Sequence, residues 1–165
     1  IDTIIVYNQK GTPTGTTIGD SSRFDYATSI VINYRDDGTG TEIAELYVAD
    51  QLNCTIHVFT LNGTYKWSIG ECGSLYTTNW DGKFSGLLAV DVDQYGNIHV
   101  LDNNLNVVQV FEPQNRTFVR SYKAYPPGNE NLLNLQSDIS IHPTNNRVVI
   151  SNIATKNVET IHTVP

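Results

Sequence analysis

Residues 84–111, FSGLLAVDVDQYGNIHVLDNNLNVVQVF, carry the most regular pattern in the chain. Leu87 to Asp91 is an apolar run, and Gln94-Tyr95-Gly96-Asn97 has turn composition. Ile98 to Leu101 is a second run, Asp102 to Asn106 is polar and Asn-rich, and Val107 to Phe111 is a third run. Short apolar runs joined by tight Gly, Asn and Asp turns predict an antiparallel meander.

The pattern recurs. Tyr47-Val48-Ala49-Asp50 answers His99-Val100-Leu101-Asp102, and Asn152 stands one interval beyond Asp102. The aromatic closing the third run recurs as Tyr7, Phe59 and Phe111, with Ile161 in the fourth place. A period of about 50 residues with several strands per unit predicts an all-β propeller or array of antiparallel four-stranded blades. The expected units are a partial blade at 1–20, blades at 24–71 and 84–122, and a partial blade at 135–165. They supply two, four, four and three strands. A closed ring of four blades needs about 16 strands, so this count falls short of one.

The phrase Gly96-Asn97-Ile98-His99-Val100-Leu101-Asp102, followed by Val108-Gln109-Val110-Phe111, resembles the NHL repeat. Leu46 to Asp50 followed by Asn53 to Phe59 is similar to it, and Val148 to Asn152 with Val158 to Ile161 is a looser match. The resemblance covers nearly the whole chain. It implies an NHL-type β-propeller, commonly of six blades.

Composition narrows the partners. The chain has 165 residues, a formal charge of −7 and no Lys/Arg cluster, which argues against nucleic acid, whose phosphates call for basic patches. No apolar run approaches a membrane span and no signal peptide is visible. The chain contains no Met, so a processed piece or a segment of a longer polypeptide is expected.

Chemistry is sparse. His57, His99, His142 and His162 are spread over different strands, and zinc needs ligands converging on one point. Similarity to the propeller family raises one enzymatic alternative, a peptidyl-hydroxyglycine amidating lyase, which holds zinc on inner-strand histidines. The comparable places here lie around Thr28, Ser85 and Gln136, and none is His. Asp36-Asp37 reads as a solvated loop, and Asp91-Val92-Asp93 before Gly96-Asn97 as a hairpin turn without a distal calcium-binding Glu. Trp80 and Tyr76 are expected to cover the space between blades. No catalytic residue, metal ligand or cofactor is assigned.

Three N-x-[ST] sequons, at Asn53, Asn62 and Asn115, all fall in turns, and the two cysteines suit an oxidising compartment. Both point to an extracellular glycoprotein. A two-residue turn at Asn62-Gly63 sets Cys54 opposite Glu71, beside Cys72, so a Cys54–Cys72 disulfide is predicted. Asn62 and Asn115 should project from one end and Asn53 from the other, with Asn53 the poorest acceptor because Cys54 constrains its turn. Ile30, Ile32, Val48, Ile56, Val58, Leu88, Val90, Val100, Val108, Val110, Ile139, Ile141 and Val149 are the expected core. The functional expectation is a non-catalytic secreted module, structural or interacting, with a subunit of an extracellular assembly or filament as one form of it. Its partners would be other copies or further blades, joined through exposed strand edges, with Thr3–Tyr7 or Thr14–Gly19 pairing beside Val158–His162. The loop faces could present a protein or glycan ligand.

Overall fold

The structure, a computed structural model, describes residues 3–20, 22–36, 39–74, 76–125, 136–152 and 157–161. It is all-β and built, apart from one short parallel ladder, from antiparallel sheets, without helix among these residues. β1 (Ile4–Tyr7) and β2 (Pro13–Ile18) form a two-stranded sheet. β3 (Ala27–Asp36), β4 (Glu42–Asp50), β5 (Thr55–Thr60) and β6 (Tyr65–Ile69) follow as an antiparallel meander, sheet I. β7 (Glu71–Cys72) and β8 (Lys83–Phe84) form a short parallel ladder. β9 (Leu87–Val92), β10 (Ile98–Asp102), β11 (Val107–Phe111) and β12 (Phe118–Lys123) make sheet II. β13 (Gln136–Ile141), β14 (Val148–Asn152) and β15 (Asn157–Ile161) make sheet III. Among the described residues no sheet closes on itself.

The two, four, four and three strands expected of the four units are present. The main departure is at Asp36, read with Asp37 as part of a solvated loop. There β3 and β4 run on, pairing Arg35 with Ile43 and Asp36 with Glu42. The second departure is the connection 71–83, whose ends zip together as β7 and β8.

The sheets stack face to face, as twisted sheets with one apolar face must. One core packs Val31, Tyr47, Ala49, Ile56 and Val58 of sheet I against Val90, Val92, Ile98, Val100 and Phe111 of sheet II. A second packs Ala89, Leu101 and Val108 of sheet II against Ile139, Ile141, Val148 and Ile150 of sheet III. A third packs Ile4, Val6 and Ile18 of the first two strands against Leu46, Val48 and Phe59 of sheet I. Each of sheets I and II therefore has a back, turned toward lower residue numbers, and a front, turned toward the next sheet.

Buried aspartates fasten the connections. The Asp50 carboxylate accepts hydrogen bonds from the Asp25 and Tyr26 N–H groups at 3.0 and 2.9 Å. Asp102 accepts from the N–H groups of Ser85, Gly86 and Leu105 at 2.7, 3.0 and 2.9 Å. The recurring Asp of the sequence thus pins the start of its own sheet's first strand to the end of its second. In sheet III the corresponding Asn152 pairs with Gln136.

Candidate interaction surface

The expected core holds with two exceptions and two shortfalls. Leu88 and Val149 are half-buried. Ile30 and Ile32 are 50% and 47% exposed, contrary to expectation, and Tyr34 beside them on β3 is 58% exposed. Their counterparts tell why. Ile30 pairs with Val48, as Val90 pairs with Val100 and Ile139 with Ile150. Val90 and Ile139 are 2% and 4% exposed because an inner strand of the preceding sheet lies on each. Behind sheet I the only sheet among the described residues is β1–β2, and it covers the outer part. Ile18 of β2 lies against Gly63 in the β5–β6 turn, so β2 is outermost. The back of β3 is left as an apolar strip.

Polar groups lock the covered junctions. The Val90 N–H donates to Ser29 Oγ at 3.3 Å, across sheets I and II. The Ile141 N–H donates to Asp91 Oδ2 at 2.6 Å, across sheets II and III. Burial raises the Asp91 carboxyl above its ordinary pKa, against the lowering effect of its N–H donors. On the front of sheet III, Asp138 and Ser140 are exposed.

A polar groove of about 980 Å³ lies at the turn ends of sheets I and II, with Ile32 and Tyr34 of β3 and Ile141 and Pro143 of the β13–β14 hairpin also on its wall. Arg35, Lys66, Trp67, Tyr95 and Arg116 line it, with Glu45 at its base. Glu45 is buried yet ionised. Burial disfavours its charge, but hydrogen bonds from Lys66, Arg35 and Tyr47 outweigh that and hold its pKa below the usual value. The Tyr47 hydroxyl donates to Glu45 at 3.0 Å, and burial with the adjacent carboxylate raises the phenol's pKa. The Arg116 guanidinium sits 5.0 Å over the Trp67 ring. This cluster was not anticipated, because its members lie on three strands and in two turns with no local motif.

The histidines do not converge. His99 bonds Tyr122 through Nδ1 at 2.9 Å and approaches Asp93 through Nε2 at 3.3 Å. Asp93 in turn accepts from the Tyr95 and Asn97 N–H groups, which makes Asp91-Val92-Asp93 the entry to a hairpin turn, as predicted. His57 is buried 3.5 Å from Asp50 with neither ring nitrogen hydrogen-bonded among the described residues. His142 is exposed at the end of β13. His162 and Asp37 lie outside the described residues. Among the described residues, no three His, Cys, Asp or Glu side chains gather as a metal site. Of the inner-strand positions, Gln136 is buried and donates to the Ala124 carbonyl, and Thr28 Oγ1 reaches the Ala49 carbonyl at 3.5 Å. The Ser85 N–H is held by Asp102.

Cys54 and Cys72 form a disulfide with a Cα separation of 5.0 Å. The predicted register holds from Ile56↔Ile69 to Val58↔Trp67. The turn is wider than expected, and a bulge between Val58 and Phe59 absorbs the difference. Asn62 and Asn115 are exposed in the β5–β6 and β11–β12 turns, and Asn53 is exposed in the β4–β5 turn at the opposite strand ends. The Asn53 amide donates to Asp50 at 2.8 Å and to the Arg23 carbonyl at 3.2 Å, so it is engaged structurally. Tyr76 is 91% exposed and does not fill a gap between sheets, whereas Trp80 packs over Gly73 within its own connection.

No family model matches the chain, and no curated protein matches it. Among the solved structures that resemble its fold are two with a TM-score above 0.5. One is a protein of Bacteroides fragilis provisionally described as exported, at TM-score 0.53 and 14% identity over 91% of this chain and 33% of the other. The second is U3-55K, at TM-score 0.51 and 13% identity over 84% of this chain and 39% of the other. The chain thus spans well under half the length of each. Identities this low speak to fold alone.

Proposed function

We propose that the chain is a segment of an NHL-type β-propeller serving as a non-catalytic, secreted, glycosylated interaction module. The carrying observation is the uncovered back of β3, with Ile30, Ile32 and Tyr34 about half exposed in a row. An apolar strip on an inner strand is a surface for another chain segment rather than for water. The disulfide and the three turn-borne sequons support an extracellular setting. The groove at Trp67 and Arg116 is a place for a protein or glycan ligand on a loop face.

The lyase alternative calls for zinc in the channel. The polar groups near the inner strands are spent on structure: Asp50 and Asp102 on backbone amides, Asp93 on its turn, Gln136 on Ala124. The test is elemental analysis of the secreted chain with an assay on a peptidyl-hydroxyglycine. The expected result is no stoichiometric zinc and no turnover. Zinc at one equivalent with turnover would overturn the reading in favour of the lyase.

A further inference from the structure

The uncovered region behind sheet I has a definite shape. β2 lies outermost against the β5–β6 turn, so β1 is the inner of the two strands there. The inner edge of β1 has no strand partner among the described residues. What is uncovered is the back of β3 and, beside it, the inner edge of β1.

Its chemistry is equally definite, because the covered junctions repeat it. Counted back from Asp50, Asp102 and Asn152, the inner strands correspond residue by residue. Ser29, Ala89 and Asp138 pair with the residue before the Asp or Asn. Val31, Asp91 and Ser140 pair with the third residue before it. Each junction joins an apolar back to a front bearing a hydroxyl or carboxylate that accepts a backbone N–H. Ser29 does this for Val90, and Asp91 does it for Ile141. On sheet III the front offers both acceptors, Asp138 and Ser140, to solvent. On sheet I the back offers Ile30, the counterpart of Val90, and Ile32, the counterpart of Ile141.

We infer that a second copy of this chain fills the space with its β13 and β14, head to tail. This rests on the interaction-module reading above. Asp138 of one copy accepts the Ile30 N–H of the other, Ser140 accepts the Ile32 N–H, and β13 covers the apolar strip. β1 then pairs along β14, taking the edge that β15 holds within a single chain. The contact joins two different surfaces, so it propagates or closes into a ring according to its rotation. It is a face-to-face junction with strand exchange, unlike the expected pairing of β1 or β2 beside β15.

The experiment is sedimentation velocity on the full chain, on a chain ending at Asn152, and on Ile32→Asp and Ser140→Arg. The two substituted positions are exposed, so neither change removes a core contact. The full chain should associate with rising concentration, and the shortened chain at least ten-fold more tightly, because β15 no longer competes with β1. Each substitution alone should weaken association more than ten-fold, since every junction needs one front and one back. Mixed in equal amounts, the two variants should form 1:1 dimers and stop there, the front of Ile32→Asp meeting the back of Ser140→Arg. Self-association of Ser140→Arg alone would overturn the proposal in favour of a back-to-back contact. Monomers throughout, in both full and shortened chains, would overturn it too and assign the space to a different polypeptide segment. Neither outcome bears on zinc or turnover, so the interaction-module reading stands or falls separately.

Discussion

Asp102 has no exposure and satisfies three backbone donors, which makes it the most consequential single side chain. Asp102→Ala leaves those N–H groups without an acceptor and should cost about 3 kcal/mol in urea unfolding. Asp102→Asn keeps one acceptor oxygen and should cost less. His57 gives a pH signature. Burial pushes its pKa below 6.5, and Arg23 adds to this against the pull of Asp50. Folding thus favours the neutral ring. Its contribution is complete above about pH 6.5 and is lost as pH falls toward the lower folded value. The urea midpoint should begin to drop below pH 6.5, and His57→Gln should remove that first part of the decline. Gln suits the position because Gln109 holds the equivalent one in sheet II, bridging the Gly82 N–H and Lys83 carbonyl. The sequence showed the recurrence of Asp50 and Asp102 but not their task, because the N–H groups they hold at the start of the first strand lie 16 to 25 residues away.

The β5–β6 hairpin with its disulfide is the most tightly determined element. Gly70, at φ 96°, joins β6 to β7, and a Cβ there would meet the Phe84 ring at 2.3 Å and the Cys54 carbonyl at 2.8 Å. Gly70→Ala should therefore destabilise by about 2–3 kcal/mol, read as a fall in Tm. Reducing Cys54–Cys72, which spans 18 residues, should cost about 3 kcal/mol by chain entropy. Comparing urea midpoints with and without reductant checks it, and an unchanged midpoint would show that β7–β8 and its Lys83–Glu71 ion pair already fix the end. The strands and the disulfide were legible because alternation, turn residues and hairpin register are local. The β7–β8 ladder was not, since two-residue strands leave no periodic trace.

Across the whole molecule, protection should be graded. β4, β5, β10 and β11 have both faces covered, so their amides should exchange hydrogen most slowly. β1 and β2, with largely exposed side chains, should exchange fastest. Mass-spectrometric hydrogen exchange would show it, and uniform protection would contradict it. The stack order could be read from a period of about 50 residues, but the exposure of Ile30 and Ile32 could not. Their alternation is that of any inner strand. Only the sheet behind them decides whether they are buried.

The locks at Ser29–Val90 and Asp91–Ile141 also bear on how such a chain grows. Each front accepts a main-chain N–H, a group every strand carries whatever its side chains. A duplicated unit would find its contacts ready at both junctions without compensating substitutions. Lengthening by gene duplication would thus meet little stereochemical resistance, and selection would act chiefly on the two terminal surfaces.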